Sequence, residues 1–83
     1  MTRDKNIVGP IIQQLREQRQ LTQAMLVARL NLKGWDISRE TLAKIETKIR
    51  WVADFELVRL AQAVGADPGD VLRKALKHGK KGE

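Results

Sequence analysis

An all-α fold of five short helices is what this sequence predicts, and three observations predict it. Apolar residues recur at three- and four-residue intervals along the chain, the period of amphipathic helices. Almost no stretch alternates with the two-residue period of a half-buried strand. Two segments, 34–37 and 65–69, interrupt the pattern with glycine or proline, as connectors between helices do.

The first helix begins near Pro10, whose fixed φ and missing N–H suit a first helical position. It buries Ile11 and Leu15, turns Gln14, Glu17 and Gln18 to water and ends about Arg19. Thr22 caps the second, over about 23 to 32, with Leu26, Val27 and Leu30 inward and Gly34 able to take a left-handed conformation beyond its end. Ser38 caps the third, whose buried stripe is Leu42, Ile45 and Ile49. Asp54 caps the fourth, with Phe55, Leu57, Val58 and Ala61 inward before Gly65. Pro68 starts the fifth, where Val71, Leu72, Ala75 and Leu76 are apolar.

A chain of 83 residues holds one domain with one modest core, because so short a chain buries only about 60 to 65% of its unfolded surface. Residues 1–9 are expected as a flexible basic arm, 10–77 as the helical domain and 78–83 as a disordered basic tail, since nothing beyond Leu76 offers apolar area. The absence of cysteine leaves no disulfide framework or thiolate metal site and points to a cytoplasmic protein. No apolar run approaches the roughly 20 residues that span a bilayer.

The charge balance and the scarcity of catalytic groups narrow the function. Sixteen Lys and Arg against ten Asp and Glu give a net charge of +6, a field that attracts polyanions or serves solubility alone. The one histidine, His78, falls in the expected tail, and the carboxylates are scattered among Lys and Arg as on solvated helix faces. These resources exclude an enzyme, and they imply no cofactor, no metal and no small-molecule substrate.

The informative stretch runs from Leu21 to Arg50: a capped helix, a connector, a second capped helix and then Thr47-Lys48-Ile49-Arg50. In such an order one helix braces the sugar-phosphate backbone while the next lays its polar face in the major groove. With Leu42 and Ile45 inward, positions 39, 40, 43, 44 and 47 lie on the opposite side of the third helix.

Arg16-Glu17-Gln18-Arg19, Leu21-Thr22-Gln23-Ala24 and the run from Ser38 to Glu46 resemble the phage-repressor and Cro-like helix-turn-helix family. The likeness continues through 57–66 to Val71-Leu72 and Leu76. It implies a compact five-helix, lambda-repressor-like domain that binds double-stranded DNA and regulates transcription as a repressor, with a homodimer on a two-fold operator as a compatible assembly. By that resemblance Arg39, Glu40 and Lys44 reach base edges. A guanidinium at Arg39 can donate twice to guanine O6 and N7, whereas Glu40 either accepts from cytosine N4 or braces Arg39 or Lys44.

The same resemblance puts Gln23, with Thr22 and Ser38, against the DNA backbone and makes Arg16 and Glu46 a partly buried ion pair; Lys48, Arg50 and Trp51 are expected as further backbone contacts by their position after the third helix. For Trp51 and Trp35 the alternative is packing within the protein. The chain departs from the family pattern in its longer connector, 31–37, and in Val27 where a small residue is common. The rival reading is a helical protein-interaction module, such as an antitoxin-type partner binder, with Val71, Leu72, Ala75 and Leu76 as its groove. An RNA or membrane-surface binder is disfavoured for want of an aromatic platform and a spare amphipathic stripe.

Overall fold

The computed structural model describes residues 6–80, and these form α1 (Gly9–Gln18), α2 (Gln23–Leu32), α3 (Arg39–Glu46), α4 (Asp54–Ala63) and α5 (Pro68–Lys80). No strand occurs among them. α1 packs on α3 and α5, α2 on α3 and α4, and α4 on α5. The expected all-α fold of five helices is therefore the observed one. None of the helices is long and apolar enough to cross a membrane.

Local chemistry sets most of the boundaries. The Thr22 hydroxyl accepts from the Met25 N–H at 3.1 Å and the Ser38 hydroxyl from the Thr41 N–H at 3.1 Å, each satisfying one of the donors that a helix start leaves unpaired. Beyond α2 the chain turns at Gly34, with φ at +92°, a conformation that glycine adopts without a steric penalty. The connector that follows is folded. Asn31 donates to the carbonyl oxygens of Trp35 (2.8 Å) and Ile37 (3.4 Å), and Ile37 is buried.

The core lies where the five helices meet. Ile12, Leu26, Leu30, Leu42, Ile45, Leu60, Val64 and Val71 are its largest fully buried apolar side chains, with Val27, Trp35, Val52 and Leu57 packed against it. Ile11, Leu15, Leu26, Leu30, Leu42, Ile45, Ala61, Val71 and Ala75 are buried as their spacing predicts.

Three apolar positions depart from expectation. Ile49 is 74% exposed, because α3 stops at Glu46 and the left-handed Lys48 (φ +68°) breaks the helical period before Ile49 is reached. Phe55 and Val58 are exposed on α4. The inward stripe of that helix is Glu56, Leu60, Ala61 and Ala63, and the polar Glu56 disguises its phase in the sequence. Leu72 and Leu76 stay exposed on α5, whose narrow contact is filled by Val71 and Ala75.

Three boundaries differ as well. The N-cap of α4 is Ala53 rather than Asp54, which is the first helical residue. Ala53 has no side-chain acceptor, so the satisfied donor here is its own N–H, which reaches the Glu56 carboxylate at 3.1 Å.

Residues 6–9, expected as the end of an arm, belong to the folded domain: Asn6, Val8 and Gly9 are buried. The Asn6 side-chain oxygen accepts from the N–H groups of Val8 (3.1 Å) and Gly9 (2.7 Å). Its amide nitrogen donates to the carbonyls of Ile45 (2.7 Å) and Arg50 (3.0 Å). At the other end α5 continues to Lys80, so 78–80 are helical backbone rather than tail. The remainder of the expected arm, 1–5, and of the expected tail, 81–83, lies outside the described residues.

Candidate nucleic-acid interface

Arg16 and Glu46 organise the surface between α2 and α3 from beneath. Arg16 Nε donates to Glu46 Oε2 at 2.8 Å, one terminal nitrogen to Oε1 at 3.2 Å and the other to the Leu21 carbonyl at 2.8 Å. Glu46 is 2% exposed and Arg16 8%. Hydrogen bonding to Glu46 pushes the Arg16 pKa above its ordinary value; burial acts the other way, and the charges of Glu46 and Glu17 add to the rise. Gln23 Nε2 also donates to Glu46 Oε1, at 3.0 Å. One carboxylate thus ties the end of α1, the start of α2 and the end of α3 together, fixing the angle between the two helix-turn-helix elements.

Above this node lies the outward side of α3. Arg39, Glu40 and Lys44 are all exposed, as is Thr47, while Ala43 is half-buried. Gln23, Arg39, Glu40 and Ala43 line one shallow recess, and Arg16, Thr22, Gln23, Ala24 and Arg39 line its neighbour. The capped starts of α2 and α3, at Thr22 and Ser38, are both exposed. Helix starts carry unpaired N–H groups and the positive end of the helix dipole, which suit a phosphate oxygen. Arg39, Lys44 and Lys48 make the surface cationic; Glu40 is the one exposed carboxylate on α3.

The other residues singled out in the sequence divide into two groups. Lys48 and Trp51 are exposed beyond the end of α3, Trp51 at 58%. Gln23 and Arg50 are engaged inside the protein. The Gln23 amide is held by Glu46. Arg50 makes a two-point ion pair with Glu56, at 3.0 and 3.2 Å, and its guanidinium sits 5.9 Å from the Trp35 ring centre. Arg50, expected on the DNA backbone, braces the loop after α3 against α4 and the long connector in the free protein.

Burial of Glu56 pushes its carboxyl up, but the Arg50 hydrogen bonds outweigh it together with the Ala53 N–H and the charges of Arg50 and Arg59, so the net shift is below the ordinary value.

Three residues of this framework escape a reading of the sequence: Asn6, Asn31 and Glu56. Two of them carried a local signal. Asn6 stands three residues before Gly9, the spacing of a side-chain turn ahead of a helix, and Glu56 is the third residue of α4, where a glutamate reaches back to the cap. The distant partners of Asn6, Ile45 and Arg50, have no such signal.

No curated protein and no solved structure gives a significant match to the chain. A family model described as helix-turn-helix matches residues 12–71, from the first turn of α1 to the first turn of α5. That match covers well over half of the chain and both helices of the interface, so the protein belongs to the Cro/C1-type helix-turn-helix family of DNA-binding proteins.

Proposed function

We propose that the protein is a sequence-specific regulator of transcription, a repressor that lays α3 in the major groove of double-stranded DNA. The observation that carries this reading is the exposed cationic side of α3, bearing Arg39 and Lys44, on a frame held rigid by the buried Arg16, Glu46 and Gln23 node. Arg39 reads a guanine edge by two parallel hydrogen bonds, Lys44 supplies a second base contact, and Glu40 accepts from cytosine or orients Arg39. Thr22, Gln23 and Ser38 present backbone N–H groups to phosphates, and Lys48 and Trp51 extend that contact.

A homodimer on a two-fold operator fits the same reading. An apolar recess of about 370 Å³, with Ile7, Val8, Val52, Leu57 and Leu72 in its wall, lies beside the start of α4, and Leu76 is exposed one turn further along α5. Two copies paired in this way would present two recognition helices to half-sites about one helical turn apart. The reading is of a cytoplasmic protein that binds and does not catalyse.

Selection of ligands from random duplex DNA tests the proposal. Replacing Arg39 by Ala should weaken binding to the selected site by roughly 1 to 3 kcal/mol and relax base preference at one position. The same selected motif and the same affinity for parent and variant would remove Arg39 from the reading surface.

A further inference from the structure

Ile49 is 74% exposed, yet it sits in one of the most firmly tied segments of the chain. Its N–H donates to the Lys44 carbonyl at 2.9 Å, and the Arg50 N–H donates to the same oxygen at 3.1 Å. Lys48 donates to the Ile45 carbonyl at 3.1 Å. From the other side Asn6 holds the carbonyls of Ile45 and Arg50, and the Arg50 side chain is held by Glu56. An apolar side chain in a loose loop would be free to fold inward. Here the backbone fixes it outward, through a lysine at φ +68°, where a side chain meets a steric penalty.

The hydrogen bonds also hold the Ile49 backbone against the last turn of α3. The bonds from Ile49 to Lys44 and from Lys48 to Ile45 form a Schellman termination, in which the residue after the left-handed one comes over the turn that holds its acceptor. That turn carries Ala43 and Lys44. Leu42 and Ile45, on the far side, face the core. Ile49 is thus an exposed apolar side chain held at the end of the recognition helix, just beyond Lys44.

We propose that Ile49 is a groove contact, packing its branched side chain against the apolar surface of bound duplex DNA, either a thymine 5-methyl group or the edge of a deoxyribose. The inference rests on the DNA-binding reading and adds to it a contact that carries no charge. Thymine's methyl group is the apolar mark of the major groove. Affinity gained by removing aliphatic surface from water releases no counterions, so this contact is insensitive to salt, unlike those of Lys44 and Lys48.

Fluorescence anisotropy tests the assignment, with the full chain and a duplex recovered by selection from a random library with the parent protein. Ile49→Ala is expected to raise Kd roughly 5- to 50-fold, the range for losing partial burial of an isoleucine side chain. The log-log salt slope and the thermal midpoint should stay unchanged, since the side chain is exposed in the free protein. The same duplex with uracil in place of thymine names the partner. If the methyl group is the contact, the parent falls to the variant's affinity; if the sugar is, the difference between them persists.

Equal affinity of parent and variant on the thymine duplex overturns the assignment of Ile49 alone. A complex that changes from two chains to one on Ile49→Ala also overturns it, by moving the side chain to a contact between copies. Failure of selection to enrich any duplex with the parent protein rejects the DNA-binding reading itself.

Discussion

Glu46 is a carboxylate with almost no access to water, and its charge is matched by one guanidinium and one amide, from Arg16 and Gln23. Removing either member of a buried pair leaves the other's charge uncompensated in a medium that solvates it poorly, at a cost of about 3 to 5 kcal/mol. Arg16→Met should therefore lower the thermal midpoint by more than about 10 °C, given roughly 4 to 8 °C per kcal/mol for a domain of this size. Replacing both residues, with Arg16→Met and Glu46→Leu, should restore much of the loss, since no charge is then stranded. A single variant that melts with the parent would show that the pair contributes nothing to stability. Exposed pairs such as Arg73 with Asp70 warrant no comparable expectation, because solvent screens them.

Among the elements, the start of α1 is tied to the end of α3 and the loop after it, because Asn6 donates to the carbonyls of Ile45 and Arg50. A Cβ added at Gly9 would lie 1.9 Å from the Ile45 carbonyl oxygen and 2.8 Å from its carbon, and backbone cannot give way as a side-chain tip can. Gly9→Ala should therefore cost about 1 to 3 kcal/mol or more by forcing α1 from α3, measurable as a fall in the denaturant midpoint. A second element-level prediction concerns acid. Glu56 has a folded-state carboxyl pKa below its ordinary value of 4.5, so the unfolded chain binds the proton more tightly. The stability Glu56 contributes is present in full above that ordinary value and is lost as pH falls through the folded-state value. Thermal melts of the parent and Glu56→Gln should accordingly differ most near neutral pH and converge as pH falls through the folded-state value. A gap that stays constant across this range would mean that the carboxylate charge is not what holds Arg50.

For the molecule as a whole, the net charge of +6 acts at a distance before any contact forms. Each phosphate neutralised on binding contributes about −0.9 to the slope of log affinity against log salt concentration. Duplex binding should weaken steeply with salt, and Lys48→Ala should make the slope shallower by about one such increment. Affinity independent of ionic strength would contradict a backbone contact by this residue and by the cationic face around it. The charge that matters is a local one. Glu46 and Glu56 are neutralised within the fold, whereas Arg39 and Lys44 stand in solvent on α3.

Five helices, their caps at Thr22 and Ser38, and the inward stripe of Leu42 and Ile45 follow from the amino-acid order alone. These features depend on residues within about four positions of one another, and local spacing records such relations. The pairing of Arg16 with Glu46 came from family likeness rather than from spacing. What only the packed molecule decides is the fate of side chains whose partners lie far along the chain: Asn6 with Ile45 and Arg50, Gln23 with Glu46, and the Trp35 ring beneath Arg50. Ile49 is the instructive case. Its spacing from Ile45 continues the buried stripe, but the helix has already ended, and the helical period has no meaning once the backbone leaves the α conformation.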